Sequence, residues 1–175
     1  SIGTKTIILD LDKINGEKLK NDLLNDGYSA EFRKFDCEDM ENLEKNFLRL
    51  LDELGPIDIF INCSYPRTKA WSKSSFDEVT FSSFRKNVDV HMNSYAWFAR
   101  LAAENMKKNN IEGSIIQTGS IYGLLGQDKN IYENTEMKEN MIYSAIKGGI
   151  VNLTRQMAAH YGKFNIRINT LIPGG

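Results

Sequence analysis

The feature that most constrains this chain is its rhythm. Short apolar runs alternate with longer amphipathic ones along the sequence. Residues 6–10, 30–35, 57–61, 114–118 and 166–171 read as strands. Residues 15–25 read as a helix, with Leu19 and Leu23 four apart and Gly27 as its stop. Residues 39–54 are the clearest helix, striped by Leu43, Phe47, Leu50, Leu51 and Leu54 and ended by Gly55-Pro56. A long helix over 84–107 carries Phe84, Val88, His91, Met92, Tyr95, Ala99, Ala102 and Met106 at three- or four-residue steps, and 142–161 forms a last one. Strands apolar on both faces, alternating with helices, predict a parallel sheet covered by helices on both sides. Right-handed crossovers make such a sheet doubly wound, and ligands bind beyond the carboxyl ends of its strands. Those ends carry Asp10, Asp36, residues 62–67, residues 118–122 and Pro173-Gly174.

Composition removes several classes. The chain has 175 residues, 22 Lys and Arg against 23 Asp and Glu, and a net charge of -1. That balance gives nucleic acid no basic face to bind. No apolar run approaches a membrane span, and no signal peptide is expected, because the run at 7–9 leads into Asp10 and Asp12. Two cysteines, Cys37 and Cys63, make no disulfide framework, so a reducing cytoplasm is expected. Two histidines and two cysteines without ligand spacing predict no metal site. One domain over 1–175 is expected.

The strand ends then yield candidates. Asp10 can accept hydrogen bonds from an adenosine ribose diol and would repel a 2'-phosphate; it can equally be a helix cap or loop acid. Tyr143 and Lys147 are four apart on a helix and share a face. An ammonium beside a phenol favours the phenolate, and such a pair moves protons near neutral pH. The same spacing also arises on ordinary helix surfaces. Ser120 follows a strand, where its hydroxyl can meet a developing negative charge or simply make a turn. His91 sits on an apolar stripe, where core packing is the favoured role, and His160 lies near a helix end. Cys63 has no base near it in sequence, which argues against a nucleophile. Arg67 and Lys69 could bind a substrate carboxylate or phosphate, or be solvated loop charges.

The ordered set resembles the short-chain dehydrogenases/reductases, in their shorter branch. It comprises Asp10 and Asp36 after their strands, Asn62-Cys63-Ser64 where the family has Asn-Asn-Ala, and Thr118-Gly119-Ser120 ahead of Tyr143-x-x-x-Lys147. It ends with residues 165–169 leading to Pro173-Gly174. The resemblance implies a Rossmann-like fold and hydride transfer between NAD, less readily NADP, and a secondary alcohol or ketone. It implies Tyr143 as general acid/base, with Lys147 favouring its phenolate and holding the nicotinamide ribose, and Ser120 fixing the substrate oxygen. Asp10 would bind the adenosine ribose, Asp36 and Cys37 would face the adenine, Asn62 and Ser64 would line the cofactor cleft, and Pro173 and Gly174 would lie beside the nicotinamide. Where the family carries a helix Asn thought to hold a relay water, this chain has His91.

Residues 62–67, 120–123 and 131–137 are further similar to a narrower group of flagellin-modification oxidoreductases associated with nonulosonic, legionaminic-type sugars. That implies a polar, sugar-like small molecule as substrate, with Arg67 as a candidate contact. The insert at 124–140 is long enough to lie over the site, and its charged residues suit a polar ligand or a solvated excursion. The family's habit of packing its long helices across a two-fold axis implies a homodimer or homotetramer, and Gly148-Gly149 would let helices approach closely. The family's first strand and its glycine loop do not appear, nor does its closing segment, so the domain is expected to be incomplete at both ends. The rival expectations are a non-catalytic dinucleotide-binding scaffold on the same fold and an inactive fragment.

Overall fold

The structure, a computed structural model, describes residues 3–173. Gly174, expected beside the nicotinamide, lies outside the described residues. The chain divides between Asp39 and Met40 into two units.

In the first unit, β1 (Lys5–Asp10) and β2 (Ser29–Lys34) pair in parallel, from Lys5 opposite Ser29 to Asp10 opposite Lys34. The helix α1 (Lys13–Asn25) joins them. It begins two residues earlier than its apolar spacing indicates because Asp12 caps it, accepting the Asn15 N–H. Leu19 is half exposed, so the leucine spacing does not mark the packed face. Gly16 is the buried residue of α1, and a Cβ there would fall 2.1 Å from the Phe32 ring.

In the second unit, β3 (Ile59–Asn62), β4 (Ser114–Thr118) and β5 (Arg167–Leu171) form a parallel sheet in that order. Within this sheet the faces differ. Ile115 and Ile168 are buried, whereas Ile59, Ile61 and Leu171 are more than half exposed. The helices α2 (Leu43–Leu54), α3 (Phe81–Asn87), α4 (Ser94–Lys108) and α5 (Met141–Tyr161) complete the unit. The helix α2 starts four residues later than its periodicity suggests, but its buried residues are those of the stripe, Leu43, Phe47, Leu50 and Leu51. The Phe47 ring lies 5.7 Å from Phe60 and 5.1 Å from Phe98, which ties α2 to β3 and α4.

The long helix expected over 84–107 is interrupted. A π-helical segment, Val88–Asn93, lies between α3 and α4, and His91 is inside it. The stripe survives: His91, Tyr95, Ala99, Ala102 and Met106 are buried. Tyr95 meets Ile142, Ile146 and Ile150 of α5 in the core cluster, with Phe84, Val88 and Met92 packed against it.

The backbone approaches itself closely at one place that matters. The 3-10 turn Ile121–Gly123 lies on α5, and a Cβ on Gly123 would stand 2.7 Å from the Lys147 carbonyl oxygen. Gly149 is likewise spoken for, since a Cβ there would meet Met92 at 2.7 Å, and Gly148 faces Gly123. Gly149 thus serves a close contact within the chain, whereas a Cβ on Gly148 would meet only the Gly123 carbonyl oxygen at 3.6 Å, an ordinary contact. A Gly123→Ala substitution meets the α5 backbone at Lys147 and Gly148 and is expected to lose about 1–3 kcal/mol of stability. Urea unfolding measures this, and an unchanged midpoint would show that the turn does not rest on α5.

Candidate active site

At the carboxyl end of β4, Thr118 presents its carbonyl to a buried cation. The Lys147 Nζ donates to Thr118 O at 2.8 Å, and Lys147 is only 2 % exposed. Burial lowers its pKa to about 8, with the neighbouring Cys63 acting in the opposite direction. Three aromatic rings surround the ammonium, with centroids 5.0 Å away for Tyr95, 5.7 Å for Tyr143 and 6.0 Å for Tyr65. One helical turn on α5 brings Tyr143 beside Lys147, and α5 itself is capped by Asn140, whose Oδ1 accepts the Tyr143 N–H at 2.8 Å.

Ser120 is buried, and its Oγ accepts the Tyr122 N–H at 3.2 Å. The oxygen is thus engaged as an acceptor, and the hydroxyl proton is left to donate. The residues after it are the 3-10 turn seated on α5 at Lys147 and Gly148.

His91 enters the same cluster from the π-helical segment. Its ring lies 5.3 Å from Tyr65, 5.3 Å from Tyr95 and 6.2 Å from Trp71. It is fully buried, and neither Nδ1 nor Nε2 has a hydrogen-bond partner. The ring therefore packs in the core, as its place on the stripe favoured, but its polar atoms are unsatisfied. Burial, assisted by the Lys147 charge, drives its pKa down to about 3.

The segment after β3 supplies the remaining wall. Asn62 is buried, and its Oδ1 accepts from the Ser64 N–H and Oγ. The Tyr95 hydroxyl donates to Ser64 O at 2.7 Å, which fixes this turn to α4. Cys63 is exposed, with the Thr118 hydroxyl 3.6 Å from its sulfur. The Arg67 guanidinium stacks over the Tyr65 ring at 5.4 Å. Tyr65 and Trp71 both stand edge-on to Tyr143, at 6.1 and 6.2 Å. The roles of these two rings were missed in the sequence; the concentration of aromatics just after β3 was the available signal.

The insert at 124–140 is tied down. The Tyr132 hydroxyl donates to the Tyr122 hydroxyl, Lys138 pairs with Glu78 at 2.9 Å, and the Met141 N–H donates to Ser74 O. Its surface is mixed rather than polar, because Leu124, Leu125, Ile131 and Met137 are all exposed. The charge of the insert is therefore no argument for a polar substrate.

Asp10 and Asp36 belong to the first unit. Asp10 ends β1 and Asp36 lies just past β2, and each carboxylate accepts the backbone N–H two residues on, from Asp12 and Glu38 respectively. Cys37, beside Asp36, is half-buried. Pro173 follows β5 and is exposed, as is His160 near the end of α5. Among the described residues no group of three metal-ligating side chains occurs, and no helix is long and apolar enough to cross a membrane.

Comparison with known proteins identifies the family and the fold. The family model described as short chain dehydrogenase matches residues 1–175. Flagellin modification protein A of Campylobacter coli is 30 % identical over 97 % of this chain and 66 % of its own length. The 7alpha-hydroxysteroid dehydrogenase of Bacteroides fragilis is 23 % identical over 99 % of this chain and 62 % of its own. The chain thus spans less than two thirds of the length of either relative. A Leptospira borgpetersenii short chain dehydrogenase, solved with bound NAD+, superposes with a TM-score of 0.74 at 24 % identity. That match covers 98 % of this chain and 71 % of the Leptospira protein, and shows the shared fold.

A buried neutral imidazole has a consequence for stability. With a folded pKa near 3 and an ordinary value of 6.5, the unfolded chain binds the proton more readily between those limits. The stabilisation is complete above pH 6.5 and is lost as pH falls toward 3. Between pH 7 and pH 5 the loss from this group is about 2 kcal/mol. Urea unfolding of the wild type and His91→Asn at both pH values measures it. The wild type is expected to fall further than the variant by that amount, and parallel pH dependences would refute a neutral buried His91.

Proposed function

The chain belongs to the short-chain dehydrogenase family, and from that premise we propose an NAD-dependent oxidoreductase acting on a secondary alcohol or ketone of a small polar molecule. The observation that carries this reading is the buried Lys147, held on Thr118 O one helical turn from Tyr143. A buried lysine without an acidic partner is costly and is kept where chemistry uses it.

The residues fit a nicotinamide ribose. Lys147 spends one of its three N–H donors on Thr118 and has two for ribose hydroxyls. Tyr143, Asn62 and Ser64 would complete that side, with Pro173 and Gly174 along the nicotinamide. Asp10 would hold the adenosine ribose, and Asp36 and Cys37 would face the adenine. When bound, the nicotinamide supplies or accepts the hydride. The protein handles the proton. Tyr143 gives or takes it at the substrate oxygen, while Ser120 donates a hydrogen bond to the same oxygen. The Lys147 ammonium stands 5.7 Å from the centroid of the Tyr143 ring. The unpaired nitrogens of the neutral His91 ring would hold a water beside Lys147, through which the proton returns to solvent.

The sugar-like substrate rests on the similarity to flagellin modification protein A, and with it a place in flagellin-directed nonulosonic sugar chemistry. Arg67, stacked on Tyr65, would be the contact for a carboxylate of such a sugar. We place the reaction in the cytoplasm, with one dinucleotide-binding domain in each subunit of a homodimer or homotetramer.

Tyr143→Phe removes the proton donor and leaves the ribose contacts of Lys147. Turnover is expected to fall by at least about 100-fold with NADH affinity within a few-fold of wild type, read by steady-state kinetics and NADH fluorescence. Retained turnover would sink the mechanism, and bound NADH with no turnover of any alcohol or ketone in wild type would favour a non-catalytic binding protein. Asp10→Ser removes the charge that repels a 2'-phosphate. Preference for NADH over NADPH is expected to narrow about tenfold, equivalent to roughly 1.4 kcal/mol; an unchanged ratio of binding constants would remove Asp10 from the cofactor site.

A further inference from the structure

The insert at 124–140 parts Ser120 from Tyr143 in sequence, and one of its residues ties the two ends together. Among the described residues of 124–138, only Gln127 and Tyr132 turn away from solvent. The Gln127 side chain uses both ends of its amide. Its Oε1 accepts the backbone N–H of Asn140, which can only donate, so Nε2 faces the other way and donates to the Tyr132 hydroxyl at 3.3 Å. Tyr132 donates its own proton to the Tyr122 hydroxyl at 3.1 Å. Tyr122 gives its backbone N–H to Ser120 Oγ, and Asn140 Oδ1 accepts the Tyr143 N–H. Gln127 is thus the middle link of an unbroken series of side chains and hydrogen bonds from Ser120 to Tyr143.

The link matters because of where Tyr143 stands. It is the third residue of α5, in the turn whose N–H groups have no partner within the helix. Helix ends are the first parts to open. Two contacts from outside hold this one: Asn140 as the cap, and Ser74 O, which accepts the Met141 N–H. The cap serves Tyr143 only while Asn140 itself stays in place, and the bond on the Asn140 N–H comes from Gln127. A glutamine that accepts from the N-cap N–H is the reach-back half of a capping box, supplied here from thirteen residues before the cap rather than from within the first turn. Lys147, one turn further in, is held separately, by Thr118 O and by the Gly123 turn against its backbone.

We propose that Gln127 is a positioning residue for Tyr143. It acts through Asn140 to keep the first turn of α5 wound, and so holds the phenol in register with Ser120. This rests on the oxidoreductase reading for what Tyr143 and Ser120 do, and it gives the insert a task in that reaction without a contact to substrate.

The full chain is used for the test. In Gln127→Ala the Tyr143 amide is expected to exchange its hydrogen about five-fold faster, the worth of one hydrogen bond. The Ile150 and Val151 amides in the middle of α5 keep their wild-type rates, all read by 15N NMR. Turnover is measured with NAD+ and either cyclohexanol or myo-inositol. In Gln127→Ala kcat is expected to fall about tenfold, because a slightly misplaced reacting group is costly, while KM for NAD+ stays within about two-fold since Lys147 remains held. Gln127→Glu keeps an acceptor for the Asn140 N–H and is expected to restore both the exchange rate and kcat. Lys138→Ala breaks the tie of the insert to Glu78 and is expected to change neither. Unchanged Tyr143 exchange in Gln127→Ala, a rise shared by Ile150 and Val151, or faster exchange with kcat intact would each overturn the proposal. So would a Gln127→Glu variant as impaired as Gln127→Ala, or an equal effect of Lys138→Ala. Faster Tyr143 exchange in Gln127→Ala, with a wild type that oxidises neither alcohol, would count against the oxidoreductase reading and not against the hold on Tyr143.

Discussion

A single buried ammonium organises this site. Lys147 is placed by α5, and its charge would be prohibitively costly in an apolar core without compensation. The compensation is a carbonyl at the end of β4 and three ring faces, from Tyr65, Tyr95 and Tyr143. Each of these partners comes from a different stretch of chain: the segment after β3, α4, the end of β4, and α5 itself. Satisfying one cation therefore fixes four elements with respect to one another. The Gly123 turn presses on the backbone at Lys147 from the other side and leaves no room for the helix to shift.

The charge of Lys147 also determines what its neighbours can be. His91 is sealed beside it, so burial and the ammonium act together to keep the imidazole neutral. A neutral imidazole offers one donor and one acceptor, and both remain unspent on protein groups. His91 lies in the π-helical turn, which widens one turn of an otherwise regular helix, and the Ser94 hydroxyl donates to the carbonyls of Val90 and His91 there.

Much of this was legible before any coordinates. The alternation of apolar runs located every strand within two residues at either end, because burial in a parallel sheet leaves a periodic mark that survives in sequence. Tyr143, Lys147 and Ser120 were candidates from helical spacing and from a strand end, and only the family resemblance gave them expected roles. What escaped has physical causes. A π turn keeps the three- and four-residue stripe, so periodicity cannot reveal it. The start of α1 depends on the Asp12 cap rather than on its leucines, and its packed residue is a glycine, which hydrophobic spacing cannot register. Gly149 advertises a close approach without saying to what, and within this chain it is to Met92. The roles of Tyr65 and Trp71 depend on loop conformation, which no period encodes.

The division of labour between the two units bears on how such a site can change. Every group proposed to move or hold the proton, from His91 to Ser120, Tyr143 and Lys147, lies in the second unit and is fixed by contacts within it. The carboxylates that would choose the cofactor, Asp10 and Asp36, lie in the first and are held by their own local turns. Neither carboxylate contributes a hydrogen bond to the Lys147 cluster. On the proposed reading, substitutions at Asp10 or Asp36 would leave the hydrogen bonds of Lys147 and Ser120 untouched. The converse does not hold for the loop after β3. Tyr65 packs against His91 and Tyr143 at once, so a change of its ring also alters the packing of the groups proposed to handle the proton.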